Sequence, residues 1–379
     1  MGRRTRVLEL ARVFATLGII GFGGPAAHIA LMRREVVERR GWLTDAQLID
    51  LIGITNLIPG PNSTEMAMHV GRLRAGGIGL VVAGLAFILP AAVIVLALAV
   101  AYVELGTTPG GAALLYGIKP VITVIVVVAL VAFARTALTG PLRIGVAVAV
   151  AVLWLVGVNE LVLLAAGAAA VAVVRLGTHH PWAAAGLVIP VAGAGAAAAT
   201  ATVSLGTLAA VFLKAGALLY GSGYVLLAFL RGDLVERLGW LTDAQLLDAV
   251  AVGQVTPGPL FTTATFVGYL LAGVPGAVVA TVAIFLPGFV FVALIGPAAE
   301  RLRDRPLTAA LLDGVNAAAL GLMAAVTLEL GRTALVDAPT VVLAVAAGAA
   351  LAWGRVPSVL LVALAGTAGL VAWAAGIGP

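Results

Sequence analysis

The eight residues Gly41-Trp42-Leu43-Thr44-Asp45-Ala46-Gln47-Leu48 recur unchanged as Gly239-Trp240-Leu241-Thr242-Asp243-Ala244-Gln245-Leu246, 198 positions later. The register holds beyond the octamer. Pro59-Gly60-Pro61 falls opposite Pro257-Gly258-Pro259, and Asn56 opposite Gln254. A polar and aromatic octamer repeated in so apolar a chain marks an internal duplication, and a duplicated unit folds as two similar halves. Each half must also accommodate a Pro-Gly-Pro break at the same place.

Those halves belong in a membrane. Hydrophobic residues make up 62% of the 379 and charged residues 10%, against about 45–50% and about 25% in soluble domains. Stretches such as 121–134 and 361–375 carry no charge at all, as helices lying in lipid require. The 47 glycines suit close approach of membrane helices. A net charge of +5 reads as topology, because the basic residues lie between apolar segments and no aromatic-interleaved basic patch exists for nucleic acid. With no cysteine, disulfides, thiolate metal sites and thiol redox chemistry are excluded. The opening Gly2-Arg3-Arg4-Thr5-Arg6 resembles a twin-arginine signal but runs straight into repeat material, and reads as mature protein.

The pattern predicts an all-α polytopic protein of two homologous six-segment repeats, each with two discontinuous or re-entrant helices. In the first half the segments are 7–32, interrupted at Gly21-Phe22-Gly23-Gly24-Pro25; 44–74, capped by Thr44 and broken at Pro59-Gly60-Pro61; then 77–103, 112–136, 143–158 and 160–175. The second half repeats them as 205–230, broken at Gly221-Ser222-Gly223; 242–270, broken at Pro257-Gly258-Pro259; then 274–298, 308–334, 339–353 and 357–376. Pro90 and Pro287 occupy matching kink positions. The expected units are residues 1–178, a connecting segment 179–203, and residues 204–379.

Charge placement sets the orientation. Arg72, Arg74, Arg135, Arg143 and Arg175 fall on one face of the first half, with Glu104 and Glu160 opposite. In the second half the bias reverses, through Arg301, Arg303, Arg305 and Arg355. The positive-inside rule therefore predicts inverted halves, which needs an odd crossing between them, supplied by 182–203. About thirteen segments, a cytoplasmic N terminus and an external C terminus follow. Arg33, Arg34, Arg39 and Arg40 fit this scheme if the first two segments are re-entrant hairpins.

Broken helices point to an anion. A helix restarting inside the membrane exposes free amides that carry partial positive charge, and such backbone is tolerated only where it lines a protein cavity. Beside the breaks stand Asn56, Asn62, Ser63 and Thr64 in one half, and Thr256, Thr262 and Thr263 in the other. With Pro59, Gly60, Pro61, Pro257, Gly258 and Pro259 they form the expected substrate-binding walls. Lys119, Lys214 and His28 lie inside apolar segments and are candidate charge partners, because ionisable groups at that depth face a pathway or a partner. Lys119 has other readings: bonding carbonyls freed at Pro120, or pairing with Glu329 or Asp313. Glu65 and His69, one helical turn apart, are a candidate gating or proton-linked pair. The competing reading makes Asn62 and Glu65 a capping box. Trp42 and Trp240 read as interface anchors, and Asp45 and Asp243 as first-turn charges. Glu65, His69, His28 and Lys119 align with Thr263, Val267, Leu226 and Asn316, so unequal contributions from the halves are expected.

Phe22-Gly23-Gly24-Pro25 with Gly41-Trp42-Leu43, Asn56-Leu57-Ile58-Pro59-Gly60-Pro61-Asn62-Ser63-Thr64-Glu65, and Phe87-Ile88-Leu89-Pro90 resemble the motifs of the chromate ion transporter family. In the second half the resemblance rests on Tyr220 to Leu226, Thr256 to Phe266, and Phe285-Leu286-Pro287. It covers nearly the whole chain. It implies a two-domain member that moves chromate out of the cytoplasm across a bacterial inner membrane, driven by the potential, with proton coupling left open. An inside-negative potential favours exit of an anion by about 2.3 kcal/mol per charge per 100 mV. No phosphate loop of the type GxxxxGK(S/T) is present, and no cofactor is expected. Sulfate or another oxyanion is the near alternative. A membrane-embedded enzyme would need a redox carrier or catalytic cluster that the sequence does not display, so none is expected. The expected partners are the oxyanion and the lipid bilayer, with no nucleic acid; a homodimer is compatible with the sequence.

Overall fold

The recurring octamer builds the same corner twice. Gly41 and Gly239 adopt left-handed φ values of 57° and 61°, which only glycine holds without strain. The turned chain then donates the amides of Trp42 and Leu43 to the Val36 carbonyl, and those of Trp240 and Leu241 to that of Leu234. Thr44 and Thr242 close capping boxes with Gln47 and Gln245. Asp45 and Asp243 each take an arginine Nε–H at 2.7 Å, from Arg33 and Arg231. Conserved identity between the copies here reflects turn and cap chemistry.

A computed structural model describes residues 2–106, 108–177, 202–220, 223–303, 305–354 and 356–376. All regular structure among them is helical. The first half holds α1 (Arg3–Ile20), α2 (Gly24–Met32) continued by π-wound turns Arg33–Arg39, α3 (Asp45–Thr55), α4 (Asn62–Leu105), α5 (Pro109–Ala137), α6 (Pro141–Leu155) and α7 (Glu160–Leu176). The second holds α8 (Leu205–Leu218), α9 (Leu226–Leu230) continued by π-wound turns Arg231–Arg237, α10 (Asp243–Val255), α11 (Thr263–Arg303), α12 (Pro306–Ala334), α13 (Ala338–Ala352) and α14 (Ser358–Ala374). These follow the expected segments closely. Gly221, Ser222 and all but the last two residues of the expected crossing 182–203 lie outside the described residues.

α4 and α11 are each a helical hairpin. Helical dihedrals fail at Ala75 and Gly76, and again at Ala272 and Gly273. The arms then pack glycine on glycine: a Cβ at Gly71 or Gly79 would collide with the carbonyl of the other, and Gly268 and Gly276 do the same. Small residues permit this approach without a hydrophobic driving force between helices. Helical dihedrals run on through Pro90, so that proline makes no break.

The paired short helices return to the end from which they start. Glu9, near the start of α1, takes Arg40 at 2.9 Å from beyond α2 and Arg74 at 3.1 Å from the end of the first α4 arm. The guanidinium groups of Arg40 and Arg74 also cover Trp42, at 5.4 and 4.8 Å from its ring centroid. α1 with α2, and α3 with the first α4 arm, thus fold back so that Arg40 and Arg74 both meet Glu9. Among the described residues, four stretches are long and apolar enough to cross a membrane: α4, α5, residues 260–294 and α12. Outward-facing Leu8, Val93, Val282, Val345 and Leu364 are each more than half exposed, an apolar surface that lipid covers.

The halves interlock at their breaks. The Gly60 amide donates to the Leu219 carbonyl at 2.8 Å, and the Gly258 amide to the Gly21 carbonyl at 2.8 Å. Gly60 and Gly258 are repeat equivalents, as are Gly21 and Leu219. Phe289 packs its ring against Gly84, and Arg72 donates to the Val292 carbonyl at 2.6 Å. Gly79→Val is expected to destabilise the protein by about 1–3 kcal/mol through overpacking, read as a lower melting temperature in detergent. Gly145→Ala, where a new Cβ meets nothing within 4 Å, is expected to leave melting unchanged.

Candidate functional site

The first Pro-Gly-Pro break borders a cavity. Pro59, Gly60 and Pro61 are buried, and Gly60 holds φ 139°. Pro61 is the N-cap of α4 and has no side-chain cap to offer. Its carbonyl takes the amides of Thr64 and Glu65. The amides of Asn62 and Ser63 have no backbone acceptor among the described residues, so the partial positive charge of the restarting helix stays uncompensated there. Asn62 donates to Asn56 at 2.8 Å across the break. Both line a cavity of about 350 Å3 with Tyr220, Arg143, Asp313 and Asn316. Ser63 and Thr64 are buried just behind, and the Thr64 hydroxyl has no hydrogen-bond partner.

The second break is closed. Thr256, Thr262 and Thr263 are buried, and each turns its hydroxyl to a carbonyl of its own turn, at 2.8–2.9 Å. Their donors are therefore already used in this conformation. A Cβ on Gly258, which holds φ 92°, would collide with Ala91. Pro257 and Pro259 flank that contact. The two breaks differ: one borders a polar cavity, and the other packs against the α4 long arm.

Two buried ionisable residues, Glu65 and His69, lie near the first break, and a third, His28, lies near the second. Glu65 is fully buried, and neither carboxylate oxygen has a hydrogen-bond partner. One oxygen lies against the Cα of Gly60, and Gly288 is the neighbour across the half interface. The capping-box reading of Asn62 and Glu65 is corrected: Asn62 sits inside the helix, bonded to Asn56, and Glu65 caps nothing. His69, one turn on, is buried with a partnerless Nε2. His28 donates from Nε2 to the Gly21 carbonyl at 2.8 Å, since a carbonyl only accepts. That same carbonyl receives the Gly258 amide. The His28 ring meets Phe87 edge-on at 5.4 Å, and its Nδ1 has no partner.

The lysines stand elsewhere. Lys119 pairs with Asp248 of the other half at 3.3 Å, and Asp248 also accepts from Tyr102 at 2.9 Å. The alternatives of Glu329 and Asp313 are overturned, because Glu329 takes Arg332 and Asp313 takes Arg143 and Arg175. Lys214 pairs with Glu160 at 3.1 Å and with Asp233. These groups line separate cavities of about 380 and about 890 Å3. Neither lysine lines the cavity at the first break. The residues that do, and that the repeat pattern alone did not single out as a site, are Arg143, Tyr220, Asp313 and Asn316. A lone aspartate inside the apolar stretch 306–334 was the available signal.

Broken helices beside polar cavities, in a duplicated all-helical chain with an apolar exterior, are the features of a multi-pass membrane protein. Comparison makes the assignment specific. The family model described as "Chromate transporter" matches residues 8–173 and again 206–370, and the chain belongs to that family. It is 35% identical over 376 residues to the chromate transport protein of Cupriavidus metallidurans, covering 96% of this chain and 93% of that one. It is 34% identical to a probable chromate transport protein of Synechococcus elongatus, covering 96% and 95%. The chromate transport protein of Pseudomonas aeruginosa is 33% identical, with 96% and 91% covered. No solved structure matches the chain.

The Lys119–Asp248 pair invites a direct test of whether Lys119 has a structural or a substrate role. Lys119→Met leaves the buried Asp248 unpaired and is expected to destabilise the fold by about 1–3 kcal/mol. The double change Lys119→Met with Asp248→Leu is expected to recover most of that in thermal melts. Transport recovered along with stability makes the pair structural; stability recovered without transport places Lys119 on the pathway.

Proposed function

We propose that the protein exports chromate, a tetrahedral oxyanion, from the cytoplasm across the inner membrane of a bacterium. The observation that carries this reading is the first break: two uncompensated helix-start amides and the pair Asn56–Asn62 bordering a cavity of about 350 Å3. That volume lies near the lower end of the roughly 300–1,000 Å3 usual for small-ligand sites. The three relatives named as chromate transport proteins supply the substrate. The membrane potential supplies the drive, since exit of a dianion runs down an inside-negative field. The protein works as a carrier and catalyses no covalent step.

In this reading the units are 1–178 and 204–379, joined by 179–203, and the halves are inverted. The reciprocal bonds Gly60 to Leu219 and Gly258 to Gly21 support the inversion. So does the pairing of Arg72, close to the α4 reversal, with residues 292–293, well beyond the α11 reversal. Tyr102, at the far end of the α4 long arm, meets Asp248 near the start of α10. The last two pairings set the later part of one half's long arm beside residues that precede the reversal in the other half. Substrate walls are assigned to Asn56 through Thr64 and, once the second break opens, to Thr256 through Thr263. Lys119 and Lys214 then act as ion pairs joining the halves, which part and re-form as access alternates. His28 ties the α1–α2 break to the second Pro-Gly-Pro break.

The deciding experiment is chromate flux in proteoliposomes under an imposed potential, with and without excess sulfate. Potential-driven chromate flux that resists sulfate is expected. Flux abolished by sulfate makes the protein a general oxyanion carrier, and absence of flux from folded protein overturns the transport reading. Glu65 and His69 are assigned as the proton-linked pair, because both are buried and partnerless on one face of the half-helix that starts at the break. Glu65→Gln preserves shape and removes the proton acceptor. It is expected to lower pH-gradient-driven flux by roughly tenfold while potential-driven flux persists; an unchanged response to the pH gradient removes Glu65 from the coupling.

A further inference from the structure

One charge cluster at the cavity has no counterpart in the repeat. Arg143 stands in the first turn of α6 and Arg175 in the last turn of α7, both in the first half. Their guanidinium groups converge on a single oxygen, Oδ2 of Asp313, in α12 of the second half. At the register that sets Pro90 opposite Pro287 and Lys119 opposite Asn316, the positions equivalent to Arg143 and Asp313 are Thr340 and Tyr116. Two cations share one carboxylate, so the cluster carries a surplus positive charge. Asp313 is the one acidic residue lining the cavity, and the polar groups around it are Asn56, Asn62, Tyr220 and Asn316.

The cluster is also incompletely bonded. Arg143 is 13% exposed and gives one nitrogen to the Ala137 carbonyl at 3.1 Å and another to Asp313, while its Nε is buried without a partner. A guanidinium fork suits two oxygens of one oxyanion better than one oxygen of a carboxylate shared with a second arginine. A tetrahedral dianion brings twice the charge of Asp313 and enough oxygens for both arginines. Asn62, at the helix start, lines the same cavity as Arg143 and Asp313.

We propose that Asp313 is an internal stand-in for the substrate, holding the Arg143–Arg175 site in the empty protein until a tetrahedral dianion takes its place. This rests on the transport reading and adds a regulatory step to it. Displacing Asp313 severs an ion pair between α6–α7 of one half and α12 of the other, so occupancy of the cavity loosens the joint that must move for access to alternate. An empty carrier stays latched, and the anion that is to be carried unlatches it.

The test is chromate binding to the full-length protein in nanodiscs by isothermal titration, with sulfate as a second probe. Asp313→Asn removes the competing charge and is expected to tighten binding by roughly tenfold or more. Arg143→Gln is expected to weaken it by a similar factor, and Arg143→Gln combined with Asp313→Asn to lose the tightening. Unchanged or weaker binding by Asp313→Asn, in protein that elutes and melts like wild type, overturns the stand-in role and leaves the transport reading intact. Wild-type protein that binds neither anion sinks both. Should Asp313→Asn fail to fold, hydrogen exchange on the wild type decides. Saturating chromate is expected to speed exchange across 310–316, and unchanged or slower exchange there overturns the proposal.

Discussion

Backbone polar groups cannot be left unpaired in a lipid environment, and this fold resolves that constraint at its most exposed point by exchange. Each Pro-Gly-Pro break gives up helical hydrogen bonds, and each is repaired by the other half: Gly60 donates to Leu219, and Gly258 to Gly21. Unpaired groups in hydrocarbon cost several kcal/mol each, so neither half is complete without its copy. The two bonds fix where the folded-back pairs meet, and the long arms of α4 and α11 then cross beside them with Phe289 packed on Gly84.

Repair is not symmetric: one break borders a cavity and the other is packed shut. Around Gly258 the chain is tight, with Ala91 in contact and threonine hydroxyls turned to their own carbonyls. Around Asn62, which borders a polar cavity, two amides of the restarting helix have no backbone acceptor among the described residues. Two breaks equivalent in the repeat thus have different surroundings. The ion pairs joining the halves differ in placement too. Lys119 with Asp248 and Lys214 with Glu160 lie at cavities apart from the break, whereas Arg143 and Arg175 with Asp313 lie beside it.

Much of this was legible in the chain. The octamer announced the duplication, and Thr44 with Gln47 announced the cap that forms. Pro25, Gly60 and Gly258 marked breaks that the backbone makes. Those signals are local: a glycine that must hold positive φ, a threonine three residues before a glutamine, a proline that cannot donate. The pairings between the halves were not legible, because a partner such as Asp248 for Lys119 lies more than a hundred residues away and periodicity says nothing of it. Glu65 misled for a related reason. Its spacing from Asn62 fits a capping box, but Pro61 takes the cap position and shifts Asn62 into the helix. Arg143 read as a topological charge at a segment end, and only the fold brings Asp313 to it.

The central claim is that the oxyanion rests at the first break, between the Asn62 helix start and Arg143. Anomalous diffraction at the chromium edge, from crystals of the protein grown with chromate, locates that anion directly. A chromium peak in the cavity bounded by Asn56, Asn62, Asn316 and Arg143 is the expected result. A peak instead beside Lys214 and Glu160, or at the Lys119–Asp248 cavity with the first break empty, would contradict it.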